Sequence, residues 1–131
     1  MRISLEADYA LRIIDYLSSR PSNDMLTSKD IARLCTLSER ITLKVLHKLH
    51  KAKIVKSFRG ANGGYCLELP PSNISYFDVI KAIDGEIYLN KCIENPLHCN
   101  RNCTDTCNVR KNLISINKTV ISELKKINFK K

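Results

Sequence analysis

Four cysteines lie close together in the C-terminal part of the chain. Cys92, Cys99, Cys103 and Cys107 fall within sixteen residues, with the spacing C-x6-C-x3-C-x3-C. Cysteine thiolates are ligands for zinc and for iron-sulfur clusters. This density of thiols therefore predicts a metal or cluster site, and the elements around it must explain what such a site would control.

The spacing alone does not distinguish zinc from an iron-sulfur cluster. Four sulfurs suit a tetrahedral structural zinc, but the paired C-x2-C knuckles common in zinc modules are absent from this sequence. A cluster tolerates irregular spacing because its irons lie apart and accept thiolates from a wider loop. The basic neighbours Lys91, Arg101 and Arg110 would favour the thiolate forms that either metal needs. Both alternatives stay open on the residues themselves.

The composition indicates a small basic protein with a polyanionic partner. The 131 residues fit one domain, and 22 Lys plus Arg against 13 acidic residues give a formal charge of +9. Nucleic acid is the first candidate partner and an anionic membrane surface the second. Charged residues interrupt the apolar N-terminal segment, so we predict neither a signal peptide nor a membrane span, and expect a cytoplasmic protein. Cys35 and Cys66, outside the cysteine-rich region, are interpreted as small buried hydrophobic residues.

Helical periodicity and capping residues predict a helix-turn-helix. A first amphipathic helix is expected from about Leu5 to Ser19, and a second from about Thr27 to Cys35. Ser38 is the expected N-cap of a third helix that runs to about Lys51. The short turn between the second and third helices matches helix-turn-helix geometry, in which the second helix of the motif enters the major groove.

The charge distribution supports this interpretation independently. Between Arg40 and Arg59 there are seven basic residues and no acidic one. A solvated helix face usually mixes the two signs, so this run favours contact with phosphates.

A predicted β-hairpin follows the third helix directly. Two β-prone runs, 54–58 and 65–69, surround the turn 59–64, which holds three of the four glycines in the chain. A hairpin in this place is the wing of a winged helix, and Arg59 at the base of its turn is a candidate minor-groove probe. The predicted DNA contacts are Ser38, Arg40, Leu43, Lys44, His47, Lys48, Arg59 and Asn62.

The rest of the chain is divided by breakers into a short helix, a loop and a long helix. Ser75 with Asp78 predicts a capped helix that ends at Gly85, and the turn-prone residues that follow predict a flexible loop around the cysteines. We therefore predict a mainly α fold with a small β-hairpin. It comprises a winged helix-turn-helix at 1–85, a cysteine-rich loop at 86–108 and a dimerisation helix at 109–131.

The last predicted helix, from about Asn108 to Phe129, carries an apolar stripe at spacings of 4, 3, 4, 4 and 3. This pattern is typical of a coiled coil, and a lone small domain has little to bury it against. We therefore predict a homodimer, which would read a two-fold-related DNA site. The stripe consists of Val109, Leu113, Ile116, Val120, Leu124 and Ile127.

The whole chain resembles the Rrf2 family of bacterial winged-helix regulators, the group that contains IscR and NsrR. The resemblance is carried by MRIS at 1–4, DYALR at 8–12, RGANGGY at 59–65, VIKAIDG at 79–85 and a cysteine loop ahead of a long helix. It implies a homodimeric repressor or activator, without enzymatic activity or a small-molecule substrate, that binds double-stranded operator DNA. Its DNA affinity would be controlled by a 2Fe-2S or 4Fe-4S cluster that senses nitric oxide, redox state or iron supply. The alternative is a zinc-bound or metal-free winged-helix protein without cluster sensing.

The resemblance also implies which residues would hold the cluster. Cys92, Cys99 and Cys107 match the three family cysteines, and Cys103 is an extra thiol. The fourth ligand would be Cys103 or, as in some nitric oxide sensing members, Asp8 on the first helix. The competing interpretation of Asp8 is a surface carboxylate that pairs with a basic residue one helical turn later.

Overall fold

The computed structural model describes residues 2–102 and 105–131 and shows a mainly helical winged helix with a long C-terminal helix. The predicted fold class and the predicted order of the long elements are confirmed. Within the described residues, no helix combines the length and hydrophobicity needed to cross a membrane. The elements are α1 (Leu5–Ser18), α2 (Ser28–Cys35), α3 (Glu39–Lys51), β1 (Val55–Phe58), β2 (Gly64–Leu67), α4 (Tyr76–Asp84), α5 (Lys91–Glu94) and α6 (Asn108–Lys126).

The first helices begin at the predicted capping residues. The Thr27 hydroxyl accepts the Asp30 N–H at 3.2 Å, and the Ser38 hydroxyl accepts the Ile41 N–H at 3.2 Å. These bonds satisfy backbone donors that a helix N-terminus leaves without a partner in the helix. The two caps therefore set the start of α2 and of α3.

The cap of α4 is a complete capping box. The Asp78 N–H donates to the Ser75 hydroxyl at 3.1 Å, and the Ser75 N–H donates to the Asp78 carboxylate at 2.9 Å. Gly85 ends the same helix with a φ of 80°. Both ends of α4 are therefore specified by residues within or next to it.

Two apolar clusters hold the helices together. The larger one joins α1, α2, α3 and α4 around fully buried side chains such as Ile13, Leu46 and Val79. The smaller one contains Phe77 and Ile80 of α4, and the Leu124 side chain of α6 packs against it. Helix α6 is therefore attached to the winged-helix body through α4.

The wing is fixed at its base by a close approach of two backbones. Strands β1 and β2 pair antiparallel, and the Tyr65 N–H of β2 donates to the Leu26 carbonyl at 2.7 Å on the opposite edge. Gly64 lies next to this bridge with a φ of +149°, and a Cβ there would stand 2.5 Å from the Leu26 carbonyl oxygen. Only glycine fits this backbone conformation and this distance, so the wing is tied to the segment before α2.

The cysteine-rich segment contains more regular structure than the predicted flexible loop. It holds α5 and a 3-10 turn at Pro96–His98. The Asn95 side chain accepts the Leu97 N–H at 3.0 Å, and Pro96 occupies the first position of the turn. Two of the turn-prone residues that suggested a loop, Asn95 and Pro96, therefore begin a short helical turn, which is a common role for Asn and Pro.

Helix α6 ends at Lys126, three residues before the predicted end, because the chain turns back onto α4. The Tyr76 N–H donates to the Ile127 carbonyl at 2.9 Å, and the Phe129 N–H donates to the Pro71 carbonyl at 3.2 Å. The Phe129 ring is 2% exposed and stacks on Tyr76 with 4.8 Å between centroids. The C-terminal residues thus pack into the winged-helix core.

Candidate nucleic-acid interface and cysteine region

The predicted DNA contacts of α3 lie on one exposed face. Arg40, Leu43, Lys44 and His47 are all exposed and follow one another at helical spacing, whereas Lys48, one turn after Lys44, is half-buried. Ser38 is exposed at the start of the helix, where its hydroxyl caps α3. The structure therefore brings the α3 part of the predicted interface together, with an unburied leucine among basic side chains.

Helix α3 buries a polar residue that sequence reasoning missed. Thr42 is fully buried, and its hydroxyl donates to the Ser38 carbonyl at 2.9 Å. This bond satisfies a polar group that would otherwise destabilise the core. A threonine in an amphipathic helix is ordinarily predicted to be on the surface, so the hydrophobic pattern did not indicate that Thr42 is buried.

Two lysines of α3 are ion-paired with a carboxylate on α1. The Glu6 carboxylate lies 2.8 Å from the Lys44 ammonium and 3.1 Å from the Lys48 ammonium. The hydrogen bonds from Lys44 and Lys48 hold the pKa of Glu6 below its ordinary value. Sequence reasoning did not identify Glu6 because tens of residues separate it from α3.

The predicted wing contacts are accessible. Arg59 and Asn62 are exposed in the turn between β1 and β2. Beside them the Phe58 side chain is 54% exposed, with the Lys56 ammonium 5.7 Å from its ring centroid. The wing thus presents basic, amide and aromatic groups, all of which are suited to contact with nucleic acid.

Three of the predicted cysteine ligands lie on the short elements of the cysteine-rich segment. Cys92 lies in α5, Cys99 ends the 3-10 turn, and Cys107 is the N-cap of α6. Arg110 connects two of these positions. Its backbone N–H donates to the Cys107 sulfur at 3.4 Å, and its Nε donates to the Cys92 carbonyl at 3.4 Å. The start of α6 is therefore joined to α5.

The donor set suits a metal that prefers sulfur. The thiols are half-buried, on turns, and the Cys107 sulfur accepts a backbone N–H at a helix N-terminus, where negative charge is favoured. Across residues 2–102 and 105–131, however, no three His, Cys, Asp or Glu side chains stand close enough to hold a metal ion. Cys103, the predicted extra thiol, lies outside the described residues.

Asp8 takes part in a local ion pair. Its carboxylate lies 3.4 Å from the Arg12 guanidinium one turn later in α1, and both side chains are about half exposed. Arg12 also donates to the Cys35 carbonyl at the end of α2, at 3.3 Å. The predicted surface pairing of Asp8 is present, and the second Arg12 contact connects Asp8 to the helix-turn-helix.

A buried amide on α6, which sequence reasoning missed, positions the entry to the cysteine-rich segment. The Asn117 side chain is 6% exposed, donates to the Ile87 carbonyl at 3.0 Å and accepts the Leu89 N–H at 2.8 Å. One side-chain amide thus satisfies both a carbonyl and an N–H of that segment. Hydrophobic periodicity gave no signal for it, since Asn117 is polar and lies beside the predicted stripe.

The predicted dimer stripe divides into two parts. Leu124 packs against the chain's own second apolar cluster. Leu113 and Val120 are half-buried. The remaining stripe residues are at least half exposed, namely Val109, Ile116 and Ile127.

The two isolated cysteines are buried, as predicted, and we expect them to be unreactive. Burial raises the pKa of both thiols, against the opposing effect of Arg12 on Cys35 and of Lys56 on Cys66. A raised thiol pKa leaves less thiolate at a given pH, and the thiolate is the reactive form. In the reduced, metal-free protein at about pH 8, iodoacetamide should therefore alkylate Cys92 and Cys107 well before Cys35 and Cys66. Peptide mass spectrometry checks the order, and labelling at equal rates would contradict the buried positions.

Comparison with known proteins gives one consistent result. The model of the Rrf2 family, described as an iron-dependent transcriptional regulator, matches residues 3–131. The HTH-type transcriptional regulator NsrR of Bacillus licheniformis is 32% identical over 100 residues, which cover 76% of this chain and 70% of that protein.

Two solved structures extend the similarity to the fold. CymR, the global cysteine regulator of B. subtilis, superposes with a TM-score of 0.78 at 28% identity, covering 98% of this chain and 93% of that one. IscR of T. potens superposes with a TM-score of 0.74 at 23% identity, covering 98% and 83%, a likeness that concerns the fold alone.

Proposed function

Because the chain belongs to the Rrf2 family of DNA-binding transcriptional regulators, which are not enzymes, we propose that it is a homodimeric repressor controlled by an iron-sulfur cluster. Cys92, Cys99 and Cys107 would hold the cluster, with Cys103 or Asp8 as the fourth ligand. The observation that carries this proposal is the pair of Arg110 hydrogen bonds, which join the Cys107 sulfur to the Cys92 backbone. The family description as iron-dependent agrees with it.

The DNA surface would consist of α3 and the wing. The exposed basic side chains of α3 would attract DNA phosphates. The long side chains of Arg40 and Arg59 could donate hydrogen bonds to base edges or into a groove. A dimer would place two such surfaces on a two-fold-related site. The exposed apolar side chains Val109 and Ile116 on α6, together with Ile127 just after its end, support a partner helix there.

The contacts of α6 would couple the cysteine region to the DNA surface. When bound, an iron-sulfur cluster supplies an iron centre whose state changes with redox conditions or nitric oxide. Arg110 and Asn117 connect the cysteine-rich segment to α6. Helix α6 packs on α4, which packs on α1 and α3. A rearrangement of the segment would therefore act on α3 through packed helices.

A zinc-bound or metal-free regulator is the second candidate. The absence, among the described residues, of three clustered metal-ligating side chains agrees only with the metal-free form, because zinc needs clustered ligands as an iron-sulfur cluster does. The structural similarity to CymR, a cysteine regulator, agrees with a role for this fold in sulfur control.

Anaerobic purification distinguishes the two candidates. A brown protein that contains iron and acid-labile sulfide, and whose DNA affinity changes when the cluster is destroyed by nitric oxide or air, supports the cluster regulator. A colourless protein that contains zinc or no metal, with unchanged DNA affinity after the same treatments, supports the alternative.

The proposed phosphate contacts of α3 lead to a prediction for Lys44. Replacing Lys44 with glutamine should weaken binding to all DNA sequences alike and reduce the slope of log affinity against log salt by about 1. Fluorescence anisotropy at several KCl concentrations measures both quantities. Lys126→Gln is the matched control, since it removes the same charge from an exposed ion pair on α6. A loss confined to one DNA sequence would show that Lys44 reads bases instead.

A further inference from the structure

One carboxylate holds two lysines of the proposed DNA-reading helix. Glu6 lies between Lys44 and Lys48, with one carboxylate oxygen directed at each ammonium group. The Glu6 side chain is 26% exposed, whereas Lys44 is 57% exposed. Lys44 therefore remains accessible to a DNA phosphate while it is paired.

The surroundings of Glu6 keep its carboxylate ionised. Glu6 lies in the first turn of α1, where the helix N-terminus favours negative charge. The two lysines lower its pKa further below the neutral range. At physiological pH, Lys44, Lys48 and Glu6 together carry one net positive charge, whereas the two lysines without Glu6 would carry two.

A carboxylate and a phosphate compete for the same ammonium donors. Both are oxygen anions that accept charge-assisted hydrogen bonds of similar length. We propose that Glu6 is a specificity-determining residue, whose carboxylate competes with DNA phosphates for Lys44 and Lys48 and so suppresses binding to DNA of arbitrary sequence. This inference rests on the proposed role of α3 as the DNA-reading helix.

The competition acts unequally on the two kinds of complex. Binding to arbitrary DNA depends on phosphate neutralisation, so a lysine held by Glu6 weakens it directly. In a complex with the correct sequence, base contacts fix α3 in one position, and lysines already held in place by Glu6 lose less conformational freedom on binding. In the sequence-specific complex, this pre-organisation offsets part of the affinity lost to the competition. It does not stabilise a mobile, non-specific complex, in which the lysines are not held in one position.

The variant Glu6→Gln tests the inference on the full-length chain. The probes are a duplex of random sequence and a duplex enriched from a random pool by the wild-type protein. If one more phosphate is neutralised per protomer, the salt slope for the random duplex steepens by about 0.9, and its affinity at low salt rises roughly fivefold to tenfold. The enriched duplex should gain less, so the ratio of the two affinities falls.

Asp15→Asn is the matched control. It makes the same change of charge on the same helix, at a carboxylate that pairs with Lys131 instead of α3. This variant should show less gain for random DNA than Glu6→Gln. Adding Lys44→Gln and Lys48→Gln to Glu6→Gln should remove the gain, because no lysine is then left to release.

The outcomes separate this inference from the proposed function. If Arg40→Gln and Lys44→Gln leave DNA binding intact, α3 does not read DNA and the proposed DNA surface is wrong. If those variants weaken binding while Glu6→Gln behaves like Asp15→Asn, only the inference about Glu6 is overturned. A third outcome is a Glu6→Gln variant that melts at a lower temperature and keeps the wild-type ratio of affinities for the enriched and random duplexes. That result would show that Glu6 stabilises the packing of α1 on α3 and does not determine specificity.

Discussion

Replacement of Cys107 by serine is expected to reduce the iron and acid-labile sulfide content of the anaerobically purified protein at least tenfold. Loss of a residue that only hydrogen-bonds to a metal ligand already costs about 10–100-fold in metal affinity, and loss of a ligand should cost no less. Cys107 would be a cluster ligand, and it is also the N-cap of α6. Serine keeps an N-cap acceptor for the Arg110 N–H but removes the soft sulfur ligand. The variant therefore separates the loss of the ligand from damage to α6.

The measurement combines iron and sulfide assays with visible absorption and thermal melting. The metal-free variant should match the free energy of unfolding of the metal-free wild-type protein within about 0.5 kcal/mol, as expected for a conservative change at a partly exposed position. Cys66→Ala is the control, because it removes a buried thiol of strand β2 in the wing, and it should keep the metal. A Cys107→Ser protein with full iron and sulfide would show that Cys107 is not a ligand.

Substituting alanine for Phe129 should lower the free energy of unfolding by about 3–5 kcal/mol. The ring is buried in the main core and stacks on Tyr76. Its removal leaves a cavity and loses an aromatic pair that contributes beyond the area it buries. A loss of this size is a large part of the stability of a small domain. Urea denaturation followed by circular dichroism measures it.

Lys130→Ala is the matched control, one residue further along the same segment. Lys130 is exposed, so its replacement should change the free energy of unfolding by no more than about 0.5 kcal/mol. A loss below about 1 kcal/mol in Phe129→Ala, in contrast, would mean that the C-terminal segment does not stabilise the winged helix. The expected result would establish that the proposed dimerisation helix is anchored at its end in the DNA-binding body.

The residues that could be predicted are those whose signals are local. Ser38 and Ser75 indicate helix starts because an N-cap side chain bonds to a backbone N–H three residues later, and the structure has both bonds. The glycines of 59–64 indicate the turn of the wing because they permit backbone conformations that such a turn needs. The cysteine-rich segment was predicted less well, because Asn and Pro both interrupt chains and cap short helical turns.

The contacts that distinguish this chain connect distant positions. Glu6 pairs with Lys48 across 42 residues, and Asn117 bonds to Ile87 across 30. Neither pairing has a periodicity or a spacing that a sequence pattern could reveal. The end of α6 also depends on a contact between distant positions. The helix stops at Lys126, and Phe129 packs into the core built by α1 to α4.

The sequence alone is therefore enough for the winged-helix plan, the exposed basic face of α3 and the grouping of thiols near α6. These features depend on hydrogen bonds, side-chain periodicity and charges within a few residues of one another. The packed chain alone reveals that Lys44 and Lys48 are held by a carboxylate of α1, and that the cysteine-rich segment is attached to α6 by Arg110 and Asn117. Such contacts arise only when helices distant in sequence are brought together by burial of their apolar faces.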